Sequence, residues 1–158
     1  MMKSAWTLQS KPLTLMTSTS ISEVFNVYTI LLVGIGGFIG AILRYTLGGW
    51  IQNGFVNFPV GTLVINTTGS FFIGLIMYLS EFQGLFSDET RIFLTIGVLG
   101  GYTTLSTFGY ESFRLLDDSK LTLLAINLLS TVLFSILAVY LGKIVALSFG
   151  TYLLRWIK

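Results

Sequence analysis

The chain has 158 residues, of which 53% are hydrophobic and 10% charged, with a formal net charge of +2. Charged residues make up about a quarter of an ordinary soluble domain, so this composition excludes one and describes an integral membrane protein. Histidine and cysteine are both absent, which removes disulfides, thiol chemistry and the usual nitrogen and sulfur metal ligands, and the scattered basic residues leave no footprint for nucleic acid.

Residues 1–26 are polar and rich in Ser and Thr, with Lys3 and Lys11 but no apolar core of the kind a secretory signal needs. They read as a mobile tail. The remainder, 27–158, reads as one transmembrane domain of four apolar segments, each of about 20 residues and so able to cross roughly 30 Å of hydrocarbon. The first, 27–47, holds Gly34, Gly36, Gly37, Gly40 and Arg44. The spacing of Gly36 and Gly40 is GxxxG, which lets two helix backbones approach closely. Residues 48–59, with Trp50 and Pro59, have the composition of an interfacial turn.

The second segment, 60–79, carries Thr62, Asn66 and Ser70 at four-residue spacing, one polar stripe on an apolar helix. An acidic connection, 80–90, leads into the third, 91–113. Its second half, GVLGGYTTLSTFGYESF from Gly97 to Phe113, is the most polar and glycine-rich part of any apolar run in the chain. In hydrocarbon every backbone N–H and C=O must be satisfied internally, so a broken helix survives only if buried in protein or lining a wet cavity. Gly100, Gly101, Thr103, Thr104, Ser106 and Thr107 predict such a break, whose hydroxyls and freed carbonyls suit an ion. After the charged turn RLLDDSK, the fourth segment runs from Leu121, with Asn127, Thr131 and Ser135 again four apart, and apolar residues prolong it to 149. Arg155, Trp156 and Lys158 read as interfacial.

Four crossings put both termini on one side. Leaving out the tail lysines, that side carries Arg91, Lys143, Arg155 and Lys158 against Arg44, Arg114 and Lys120 on the other. Lys and Arg bias in the loops sets orientation, and four against three gives almost no instruction. Such a chain suits insertion both ways up and pairing as an antiparallel dimer.

Three motifs now coincide: GGFIGAILRY at 36–45, GTLVINTTGSFFIG at 61–74 and GGYTTLSTF at 100–108. With the four short-looped segments they resemble the CrcB or Fluc family of fluoride channels across residues 27–142. The resemblance implies an all-α, four-helix protein, broken in the third helix and assembled as a dual-topology homodimer in the cell membrane. It implies two fluoride pores and one structural sodium ion, Na+, held by backbone carbonyls that fall on Gly100 and Thr103. Hard cations prefer such oxygen ligands.

By position, Asn66 matches an asparagine whose amide can donate to a passing anion without a charge that would trap it. Phe108 matches the second phenylalanine of the family's TTFSTF pattern, where the positive ring edge can meet an anion. Leu105 stands at the first phenylalanine and has no such quadrupole. Ser106 and Thr107 lie between them. Thr131 and Ser135 match a hydroxyl track along the fourth helix, and Asn127 stands where many relatives place tyrosine. Arg44 matches an arginine suited to a vestibule or to anchoring at the interface. Each of these residues has a plainer reading as helix-to-helix packing or hydrogen bonding.

The resemblance implies passive exit of toxic cytoplasmic fluoride. A small proton-coupled multidrug transporter would need a central intramembrane carboxylate, and none of the segments has one, Glu111 being near an end. A non-conducting or heteromeric subunit of the same family is the alternative that Leu105 raises. Enzyme function is excluded: no nucleophile has a suitably spaced base, and the glycine run lacks the ending of a phosphate-binding loop.

Overall fold

The computed structural model describes residues 26–156; the tail reading, apart from Asn26, and Lys158 lie outside them. Among the described residues are four spans long and apolar enough to cross a membrane, Val27–Gln52, Val60–Gln83, Asp88–Asp117 and Leu121–Phe149. We number the helices α1 (Val27–Gln52), α2 (Val60–Gln83), α3 (residues 88–102), α4 (Leu105–Asp117) and α5 (Leu121–Trp156). The third span is α3 and α4 together, bent where the chain leaves the helix at Thr103 and Thr104.

Side-chain caps mark several starts. Asn26 Oδ1 accepts from the N–H of Tyr28 at 3.0 Å to open α1, and Ser87 Oγ accepts from that of Thr90 at 3.3 Å to open α3. Such caps satisfy N–H groups that the helix itself leaves without partners. Gly84, at φ 59°, closes α2 in the left-handed conformation that a glycine adopts without steric cost. Three helices run beyond the apolar segments. Gly48, Gly49 and Trp50 belong to α1, and the turn begins only after Gln52. Gln52 then knits that turn: its Nε2 donates to the carbonyls of Phe55 and Phe58, and its Oε1 accepts from the N–H of Gly61 at 2.9 Å. Similarly, α2 reaches Gln83, whose Nε2 donates to the carbonyl of Ala146 on α5 at 2.9 Å. With 36 residues, α5 is about 54 Å long at 1.5 Å per residue, well beyond the hydrocarbon thickness.

Glycine backbones, rather than large side chains, bring the helices together. A Cβ on Gly36 would stand 2.8 Å from the carbonyl oxygen of Phe93 and 2.9 Å from Cα of Gly97. One on Gly40 would run into the carbonyl of Val98, and one on Gly101 would lie 2.5 Å from that of Gly37. The GxxxG pair of α1 thus meets a second one, Gly97 and Gly101, on α3. Across the bundle, Gly74 of α2 lies against Val139 and Gly142 of α5 against Phe71, each backbone on backbone. Small residues let dispersion contacts form over a long seam where no hydrophobic drive separates helix from lipid. Few apolar side chains are buried, chiefly Ile65, Leu99, Leu115, Ala138 and Ala146. Many large ones, including Phe38, Leu129 and Ile136, face outward.

Before the break, α3 widens into a π-helix over Phe93–Leu99, a feature that composition gave no sign of. The break itself is shorter than expected. Gly100 and Gly101 are helical, Gly100 with φ −63° and ψ −37°, and the extended residues are Thr103 (ψ 159°) and Thr104 (ψ 115°). The glycine pair does not make the break, because Gly101 is held in the seam against α1.

Candidate functional site

The bend is built from threonine chemistry and one asparagine. Hydroxyl residues compete with the backbone ladder through local hydrogen bonds, which suits them to helix starts. Thr104 does this: its Oγ1 accepts from the N–H of Thr107 at 3.2 Å and donates to Thr107 Oγ1 at 3.0 Å, capping α4. Asn66, on α2, reaches the same residue from the side. Its Oδ1 accepts from the Thr104 N–H at 2.8 Å and its Nδ2 donates to the Thr104 carbonyl at 3.1 Å. Thr104 is buried, so an unpaired N–H there would be costly, and the asparagine supplies the partner that the helix cannot.

Carbonyls are released in consequence. In an unbroken helix the N–H of Thr104 would donate to Gly100 and that of Thr107 to Thr103. Both donors are instead engaged by side chains. The freed carbonyls of Gly100 and Thr103 are the two that the sequence resemblance placed at sodium. Thr103's carbonyl also receives Nη1 of Arg44 at 3.5 Å. Among the described residues no group of three or more carboxylate, histidine or cysteine side chains could hold a metal, so backbone oxygens are the fitting ligands for a hard monovalent cation. Gly100 is exposed, and the nearest atom to a Cβ built on it is the carbonyl oxygen of Thr95, 3.7 Å away.

A cleft of about 400 Å³ opens beside the break, lined by Arg44, Gln52, Thr62, Thr104, Thr107 and Glu111 among others. Of the residues singled out from the sequence, Arg44 and Thr107 share this cleft, with Asn66 directly behind Thr104. Leu105 is 80% exposed. Ser106 is exposed and Phe108 half-buried. The fourth-helix row does not line the cleft. Asn127 is buried against α4, where its Nδ2 donates to Ser112 Oγ at 3.0 Å. Thr131 is buried with its hydroxyl unpaired, and Ser135 is half-buried.

Two contributors were missed. Glu111 accepts from Thr62 Oγ1 at 2.9 Å through Oε1, while its buried Oε2 has no partner. Tyr102 Oη donates to Thr68 Oγ1 at 2.9 Å, since the Thr68 hydroxyl is engaged with the carbonyl of Val64. The signal for Glu111 lay in the Thr62, Asn66, Ser70 stripe, whose first member required a polar partner on a facing helix. Close packing completes the site: a Cβ on Gly69 would strike the Thr103 methyl and come within 3.2 Å of the Tyr102 ring.

With this geometry, comparison with known proteins gives a single answer. The family model described as CrcB-like protein, Camphor Resistance (CrcB), matches residues 31–143. A protein of Methanosarcina barkeri (strain Fusaro / DSM 804), Fluoride-specific ion channel FluC 3, is 79% identical over 131 residues, covering 83% of this chain and 99% of its own. Fluoride-specific ion channel FluC 1 of Methanosarcina acetivorans is 72% identical over the same shares. A Fluoride-specific ion channel FluC of Geotalea daltonii is 45% identical over 115 residues, 72% of this chain and 93% of its own. The bent four-span bundle and these matches agree, and the chain belongs to the CrcB family.

Proposed function

We propose that this multi-pass membrane protein is a passive, fluoride-selective channel of the cell membrane, which lets toxic fluoride leave the cytoplasm. The observation that carries the reading is the broken third span, held from the side by Asn66 and opening on a cleft with an arginine, in a chain so close to fluoride channels. Fluoride is small and strongly hydrated. Its passage needs several weak donors in succession, because an ion must leave as readily as it enters. Asn66 engages one Nδ2 hydrogen with Thr104 and has a second to offer; Ser106, Thr107 and the edge of Phe108 follow along α4. Thr131, Ser135 and Asn127 lie on α5, away from the cleft, and Thr131's unpaired hydroxyl supports a role in the path for that helix.

The working unit in this proposal is an antiparallel homodimer in lipid. Gly100 and Thr103 of one chain offer two carbonyls, fewer than the six or so oxygens that hard cations commonly collect. A second chain meeting the first at its exposed Gly100 would double the set around one structural Na+. The near-balanced basic residues suit insertion in both orientations. Release of fluoride from liposomes containing the purified protein tests the function directly.

A further inference from the structure

Asn127 is 1% exposed, and the polar chain it starts ends at Phe108. Its Nδ2 donates to Ser112 Oγ at 3.0 Å, and the Ser112 hydroxyl donates its single hydrogen to the carbonyl of Phe108 at 2.7 Å. The polarity is consistent, since a hydroxyl has one hydrogen to give and lone pairs to receive. A line of hydrogen bonds therefore crosses from α5 to α4 and stops on the backbone of one aromatic residue.

That matters because α4 is a short helix of 13 residues that starts at a break. Its rotation about its own axis is not fixed by continuity with α3. Near its start it is held through Thr104 by Asn66. The next polar hold is the Asn127–Ser112 pair two turns on, and Phe108 lies between. Apolar contacts in the α4–α5 seam are non-directional and would tolerate some rotation, whereas a buried amide must keep its partner or lose it at a cost.

We propose that Asn127 and Ser112 are positioning residues that set the rotation of α4 and hence the direction of the Phe108 ring. The pair rests on the channel reading, in which Phe108 faces the ion. Asn127 acts through Ser112 and does not touch fluoride.

Fluoride and chloride efflux from liposomes tests this with the full chain. Asn127→Leu removes the donor at similar volume, and Ser112→Ala removes only a hydroxyl, so at least one folded variant is expected. Size-exclusion profile and thermal stability are checked for each. Either variant should lower fluoride flux by about tenfold and narrow the fluoride-to-chloride ratio; added to Phe108→Leu, each should change flux by less than about twofold, because interacting residues are non-additive. The exchange of partners, Asn127→Ser with Ser112→Asn, should recover flux and ratio toward wild type. A purely structural pair would lower stability without altering the ratio or its dependence on Phe108. Wild-type flux and ratio in folded Ser112→Ala, or effects that multiply with Phe108→Leu, would overturn the proposal while leaving the channel standing. Wild-type liposomes that hold their fluoride would overturn both.

Discussion

Asn66 bonds both backbone groups of Thr104, so a single side chain on α2 splints the point at which the third span leaves its helix. The bend is therefore a tertiary feature. Asn66→Ala leaves the buried Thr104 N–H unpaired and should cost about 1–3 kcal/mol. Asn66→Asp keeps an acceptor for that N–H but sets a second oxygen against the Thr104 carbonyl. Thermal unfolding in detergent should rank wild type above both variants. Equal stability of Asn66→Ala and wild type would mean that the bend holds itself.

The glycines of α1 divide sharply by what faces them. Nothing lies within 4 Å of a Cβ on Gly34, whereas one on Gly40 meets the Val98 backbone. Gly34→Ala should be neutral or slightly stabilising, since alanine is the better helix former by about 1 kcal/mol. Gly40→Ala must push two backbones apart and should cost about 1–3 kcal/mol, as overpacked sites do. Comparing the unfolding temperatures of the two variants checks the α1–α3 seam.

Much of this arrangement could be read from residue spacing, and the parts that could not share a cause. GxxxG at Gly36 and Gly40 announced a close helix contact, but its partner, Gly97 and Gly101, looked like the break itself. Both uses of glycine give the same composition; only the facing helix tells them apart. The real break at Thr103 and Thr104 depends on Asn66, far away in sequence, and the π-helix over Phe93–Leu99 leaves no periodic mark in so apolar a run. Asn127 and Thr131 were legible as polar positions on one helix face. Their direction was not, because a four-residue repeat fixes a stripe and leaves open what it faces.

Gly100 offers a test of the sodium proposal that a lone protomer would not fail. A side chain there meets little within the chain, so Gly100→Leu should keep its helical content by circular dichroism. If two breaks meet around one Na+, the same variant should lose the dimer mass in detergent and the stabilisation that Na+ gives over a large organic cation, while Thr103→Ser, which keeps the carbonyl, should retain both. A dimeric, sodium-stabilised Gly100→Leu would contradict the proposed site.

Orientation has its own check. With almost balanced basic residues on the two sides, a tag at the C-terminus should react with impermeant reagents from both faces of a native membrane. Labelling from one face alone would exclude the antiparallel pair.

Efflux from fluoride-loaded liposomes bears most directly on the central claim. Purified protein should release fluoride in preference to chloride with no proton gradient, and Phe108→Ile or Asn66→Ala should suppress the release. Leu105→Phe, which restores an aromatic edge at an exposed position, should maintain or raise the rate. Liposomes that retain their fluoride although the protein is verified in their membranes would contradict the channel, and would favour a subunit that conducts only beside a different chain.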